Sequence, residues 1–331
     1  MWGSKSFNFP VKKTKFGGSV SNNSYTFTNT SSTDEDICRN GLAKLFGIRN
    51  HDLFKEKFSQ SCSGSGQELK RIAVLHSSSL CALLFFYNVS EEDPYIMDIE
   101  GKEYSFTHSC FEYQNTVIAG GNPSNIDVVL VGTDVMSGSP TVLFLESKFS
   151  EYYESAGRIS GKISAKYLDN NYGKAVYSED NLAKMGLSQK INQNTDQDKN
   201  TSFILCSKEP FYIEGIKQMI SHYIGVRNLC DKPDKKNDTV ADAISAGAKV
   251  LLGEILFTKG IGQLPIGNGE ECLAAYQKKY RILADIMNEQ LKKDGVSNRI
   301  TVLSDILSYS QFQDKEYIRP QIRRFYFDFG K

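Results

Sequence analysis

Charge placed inside apolar strands constrains this chain more than any other feature. Residues Asn125 to Phe149 read Asn-Ile-Asp-Val-Val-Leu-Val, then a Gly/Ser/Asp-rich turn from Gly132 to Pro140, then Thr-Val-Leu-Phe-Leu-Glu-Ser-Lys-Phe. β-Branched and aromatic runs on both sides of such a turn predict two adjacent strands joined by a loop. Asp127, Glu146 and Lys148 interrupt those runs. Side chains two apart on a strand share a face, so Glu146 and Lys148 project together, and Asp127 joins them if the strands pair. On an edge hairpin such a salt bridge would contribute only about 0 to 1 kcal/mol. The flanking Val-Leu-Phe-Leu predicts instead a central strand, where unpaired charge is penalised.

Two close carboxylates repel unless a cation lies between them. An all-oxygen site of this kind suits Mg²⁺, with Mn²⁺ as a substitute. A metal polarises a phosphoryl oxygen and a nearby ammonium stabilises the developing charge, which is hydrolytic phosphodiester chemistry. Asp127 followed by Glu146-Ser147-Lys148 resembles the motif of the PD-(D/E)xK nuclease superfamily, although Ile126 stands where the proline of that name would be. Three other acid-x-lysine triplets, Glu68-Leu69-Lys70, Glu100-Gly101-Lys102 and Asp234-Lys235-Lys236, do not follow a strand bearing an acid. Gly66-Gln67-Glu68-Leu69, with His76 to Leu83 after it, resembles an uncharacterised bacterial restriction-endonuclease-like branch, in which a helix carrying a glutamate precedes the core sheet. That resemblance implies Glu68 as an assisting metal ligand. It also implies Glu112, in Phe111-Glu112-Tyr113-Gln114, as a candidate ligand, against a surface glutamate as the plainer reading. Gln218 then lies near the site on the helix after the Glu-x-Lys strand. His222, four residues on, shares its helical face.

Composition sets the class. The chain has 331 residues, enough for one large or two small domains, and its 39 basic and 39 acidic residues balance. Overall charge therefore gives no argument for nucleic acid, and any attraction must come from local patches. Seven cysteines without a Cys-x-x-Cys pair exclude a zinc ribbon and fit a reducing cytoplasm. No run of about 18 apolar residues predicts a membrane span.

Along the chain, residues 1–33 hold Lys5, Lys12, Lys13 and Lys15 among Asn, Ser, Thr and Gly, and predict a mobile arm. Ser32 or Thr33 is placed to cap a helix through Asp36 to Leu45, with a short amphipathic turn over Asp52 to Ser59. After the Ser61–Gly66 linker, the apolar spacing over Gln67 to Tyr87 predicts one helix. Glu103 to Val117 reads as a strand with Tyr104, Phe106, His108, Cys110, Glu112 and Gln114 on one face. Residues 150–201 read as a charge-neutral polar insertion. Phe203–Cys206 predicts a strand, Tyr212–Val226 a helix, Ala248–Phe257 a core strand, Glu270–Asp294 a long helix and Arg299–Leu303 a strand. The tail from Tyr317 reads as a backbone-contact patch or a final strand.

The expected fold is α/β: a restriction-endonuclease-like core of central mixed sheet flanked by helices, with the polar insertion and an extra C-terminal helix and strand. Residues 1–60 form the arm and short helices, and residues 61–331 the nuclease domain. The resemblance implies a cytoplasmic, Mg²⁺-dependent deoxyribonuclease acting on DNA, with Asp127 and Glu146 as metal ligands, Lys148 as charge stabiliser, Glu68 and Glu112 assisting, and Gln218 behind them. Bacterial defence or DNA processing is the implied setting, and a homodimer is one way to cut both strands. The alternative is a non-catalytic module that binds nucleic acid or protein on the same sheet.

Overall fold

In the computed structural model, which describes residues 11–14, 24–31, 33–63, 68–118, 121–149, 151, 160–191, 202–209, 212–233, 238–258 and 269–328, the longest apolar runs become neighbouring strands of one sheet. A hairpin of β1 (Val11–Thr14) and β2 (Ser24–Phe27) precedes α1 (Glu35–Phe46) and α2 (His51–Ser61). Asp34, rather than Thr33, caps α1 by accepting from Ile37 N at 2.9 Å, Ser32 lying outside the described residues, and Asn50 caps α2 by accepting from Leu53 N at 3.1 Å. The stretch expected as one helix splits into α3 (Glu68–Ile72) and α4 (Ser78–Phe86). Ser77 makes the division. It is extended, and its hydroxyl accepts from Leu80 N at 3.1 Å, so it starts a new helix instead of continuing the old one.

Strands β3 (Tyr95–Ile99), β4 (Lys102–Asn115), β5 (Ser124–Asp134) and β6 (Pro140–Lys148) follow as an antiparallel meander. β3 was not expected from the sequence; it turns into β4 through Glu100 and Gly101, both in the left-handed region at φ 52° and 77°. Residues 160–207 then form a second, three-stranded sheet of order β7-β9-β8 (Ser160–Ser164, Ser202–Ser207 and Leu187–Ile191) with short helices α5 (Lys166–Asp169), α6 (Asn171–Val176) and α7 (Glu179–Lys184). Next come α8 (Ile213–Asp231), α9 (Thr239–Ser245), β10 (Lys249–Leu256), α10 (Gly269–Lys293), β11 (Ile300–Val302), β12 (Leu307–Ser308) and α11 (Pro320–Phe327).

The main sheet has the order β11-β10-β6-β5-β4-β3, and β12 pairs with the end of β10. β10 runs parallel to β6, and β11 runs parallel to β10. Nearly every residue of β6 and β10 is buried, as expected of parallel strands covered on both faces. Val142 and Phe144 face one apolar cluster with α8 and α10, while Leu143 and Leu145 face the other with α1, α4 and α11. Ile163, Val176, Tyr177, Phe203 and Leu205 bury themselves in the first cluster, so the segment expected as a polar insertion is anchored by an apolar side.

Two further expectations change. A bulge between Phe106 and His108 shifts the register of β4. Tyr104 and Phe106 therefore join the second cluster while Cys110 packs on the first, and the residues from Tyr104 to Gln114 do not share one face. The tail carries α11, whose Phe325 packs at 5.3 Å from Phe27 and 5.5 Å from Phe46. It is a helix and not a strand. Phe27 lies fully buried at the end of the segment expected as a mobile arm, and residues 1–10 and 15–23 of that arm lie outside the described residues. Among the described residues no helix is long and apolar enough to cross a membrane.

Gly132 faces the bulge. A Cβ there would lie 2.0 Å from Ser105 O and 2.6 Å from Phe106 Cα, both backbone atoms with no rotamer to yield. Gly132→Ala is expected to cost ~2 kcal/mol or more, as overpacking against fixed atoms does. Chemical denaturation reads this directly, and wild-type stability would contradict the register of β4 on β5.

Candidate functional site

Strand register assembles the site. The pairs Phe111–Val128 and Tyr113–Ile126 bracket Glu112 and Asp127. Val128 pairs with Leu145, which sets Asp127 beside Glu146 in the antiparallel ladder, and Glu146 pairs directly with Glu254 on β10. Four acids therefore form a row across β4, β5, β6 and β10. Lys148, two residues after Glu146, joins the same face.

Glu146 is at the centre of the contacts. Its Oε1 accepts from Lys148 Nζ in a buried ion pair. Its Oε2 faces His222 Nε2 of α8 at 2.8 Å, and His222 Nδ1 lies 2.6 Å from Ser124 Oγ at the start of β5. Glu146 and His222 are 3% exposed and Lys148 is 4% exposed, so the cluster is closed to water. Asp127 is partly buried, and its Oδ2 accepts from Ser147 N at 2.7 Å. Ser147, on the opposite face, is fixed by Ser78 O at 3.1 Å and the Tyr309 hydroxyl at 2.8 Å. On β10, both oxygens of Glu254 accept from the Tyr276 hydroxyl at 2.8 Å. Gly215 makes this approach possible, since a Cβ there would lie 2.2 Å from that hydroxyl.

Electrostatics divides the acids. Burial opposes ionisation of Glu146, but Lys148 and His222 outweigh it and hold the carboxyl at about 2. Burial likewise opposes the charge on Lys148, and Glu146 first among its neighbours keeps the ammonium charged. The other acids go the opposite way. Burial, and then the charges of Glu146 and Glu68, push Glu112 up to about 8 against a hydrogen bond with Asn125. Burial and then Glu146 push Asp127 well above the usual carboxylate range. Burial pushes Glu254 up to about 8 against Lys148 and Tyr276. One ion pair thus sits among three acids that favour the neutral form.

The expected residues fall into place unequally. Asp127, Glu146 and Lys148 come together as the hairpin predicts. Glu112 lies in the row with its backbone in the left-handed region at φ 49°, unusual for a glutamate. Glu68, on the first turn of α3, is near enough for its charge to raise Glu112. Gln218 stands one step away: its Oε1 accepts from the Tyr212 hydroxyl at 3.3 Å, and Tyr212 in turn lies by Lys148. The residue of α8 that touches the acids is His222. Glu254 escaped the sequence reading, though the signal was present, since it interrupts Leu251-Leu252-Gly253 and Ile255-Leu256 as Glu146 interrupts β6. Nothing in the sequence marks Ser124.

The donor set, four carboxyl groups in one row, has the oxygen chemistry that suits a hard divalent cation. Its disposition does not: both Glu146 oxygens are engaged, and among the described residues no three His, Cys, Asp or Glu side chains are grouped to hold a metal. Compared with known proteins, the chain matches no family model, no curated protein and no solved structure at a significant level.

The raised acids give the fold a specific pH response. Glu112 and Glu254 hold protons in the folded chain up to about 8, whereas an unfolded glutamate releases its proton near ~4.3. The unfolded state therefore binds fewer protons between these values, and stability falls as pH rises through that window. Melting temperature is expected to decline from pH 5 to pH 8.5, and the decline should flatten in Glu112→Gln/Glu254→Gln. A wild-type melting temperature that climbs over this range would contradict the burial of these carboxyls.

Proposed function

We propose that this protein is a Mg²⁺-dependent deoxyribonuclease of the PD-(D/E)xK type, with a restriction-endonuclease-like core. The observation that carries the reading is the meeting of Asp127, Glu146 and Lys148 on one face of adjacent central strands. The order of elements supports it: a helix, four antiparallel strands, one more than the resemblance implies, a helix over the Glu-x-Lys strand and then a parallel strand.

Lys148 is the group that acts on the phosphodiester. Its ammonium is kept charged in a water-poor site, where a fixed positive charge stabilises developing negative charge more strongly than it would in water. Glu146 orients that ammonium, and Ser147 N holds the Asp127 carboxyl toward β6. Mg²⁺ or Mn²⁺, held by Asp127 and Glu146 with Glu68 and Glu112 assisting, would supply Lewis-acid polarisation and a bound water of lowered pKa. The closed state of Glu146 favours one second reading, a non-catalytic module that binds nucleic acid or protein, since a saturated carboxylate has no vacant position for a metal.

Cleavage of supercoiled plasmid, prepared from methylating and non-methylating hosts, decides between the two. Wild type is expected to nick DNA with Mg²⁺ or Mn²⁺ and not with EDTA. Asp127→Ala and Lys148→Ala should each be slower by ~10²-fold or more, the loss seen when a single transition-state stabiliser is removed. Equal rates in wild type and both variants would sink the assignment of these residues, and no cleavage of either plasmid would favour the binding module.

A further inference from the structure

The site contains the acids of a cation site and a contact that keeps a cation away. Glu146 Oε2, one of two oxygens with which this residue would ligate, faces His222 Nε2 at 2.8 Å. A bare imidazole nitrogen against a carboxylate oxygen would be repulsive, so Nε2 carries the proton and donates it. Ser124 fixes that state. Its hydroxyl, 2.6 Å from Nδ1, donates to the neutral ring or accepts from the charged one, and either way Nε2–H remains directed at Glu146. The three residues come from β5, α8 and β6 and are each at most 7% exposed, so the ring is held from both sides out of reach of competing water. Lys148 takes Oε1.

We propose that His222, oriented by Ser124, is a latch on Glu146: a divalent cation gains Oε2 only when the His222–Glu146 hydrogen bond opens. The inference rests on the reading of Asp127 and Glu146 as cation ligands. It separates the two polar residues on one face of α8. Gln218 accepts from the Tyr212 hydroxyl and so stands behind the site, whereas His222 meets the central carboxylate. His222 is in this account a positioning residue, and substrate does not enter its role. A residue that merely supports the fold would weaken cation binding when lost. A latch does the reverse.

Mn²⁺ binding, read from the electron paramagnetic resonance of the free ion, tests this without reference to cleavage. The full chain would be titrated as wild type, His222→Leu, Ser124→Ala and Asp127→Asn. His222→Leu is expected to bind Mn²⁺ about 10-fold tighter or more than wild type, the fold-change that losing a competing hydrogen bond to a charged group implies. Ser124→Ala, which removes one small hydroxyl and keeps the ring, should shift in the same direction by less, and it carries the test if His222→Leu does not fold. Asp127→Asn should lose binding. Binding by wild type as tight as by Ser124→Ala and His222→Leu would overturn the latch and leave the cation site standing. No Mn²⁺ binding by any variant, or binding indifferent to Asp127→Asn, would overturn the cation reading and the latch with it.

Discussion

The buried ion pair between Glu146 and Lys148 is the interaction around which the candidate site is arranged. Removing each of these charges from water costs several kcal/mol, and their attraction repays that only when the geometry is close and the remaining oxygen is also hydrogen-bonded. β6 provides the first condition by placing the two residues on one face of a central strand. α8 provides the second, because His222 reaches the outer oxygen of Glu146. Stability alone would not call for this arrangement, since an apolar pair of similar volume in such a place is commonly as stable or more stable.

The neighbouring strands extend the same logic. Glu112, Asp127 and Glu254 flank Glu146 in register, and burial drives all three toward the neutral form. A row of acids in a sheet core is a liability unless something positive or a proton meets it. The fold meets each with a hydrogen-bond donor: the side chain of Asn125 for Glu112, the amide of Ser147 for Asp127, and a tyrosine hydroxyl let in by Gly215 for Glu254.

The hairpin and its three charged residues were legible because ionised side chains inside β-branched runs have few structural uses, and the register that unites them follows from strand alternation. The long helix α10 and the strands β10 and β11 were legible from periodicity alone. Glu254 carries the same signal as Glu146, an acid inside an apolar strand, without a lysine two residues on. Other features depend on contacts that a sequence does not display. Ser77 divides an apolar run by capping, a bulge after Phe106 changes which face of β4 is buried, and Phe27 finds α11 some three hundred residues away. Ser124 and His222 are 98 positions apart, and only the crossing of α8 over β5 and β6 brings them to one carboxylate.

On the proposed reading the buried charges serve chemistry and not stability. The thermal unfolding midpoint of Glu146→Leu/Lys148→Met, compared with wild type in EDTA, tests this. A midpoint equal to or above that of wild type is expected, because the desolvation cost leaves together with the pair. A midpoint lower by many degrees would contradict it, and would make the ion pair a structural element of the sheet.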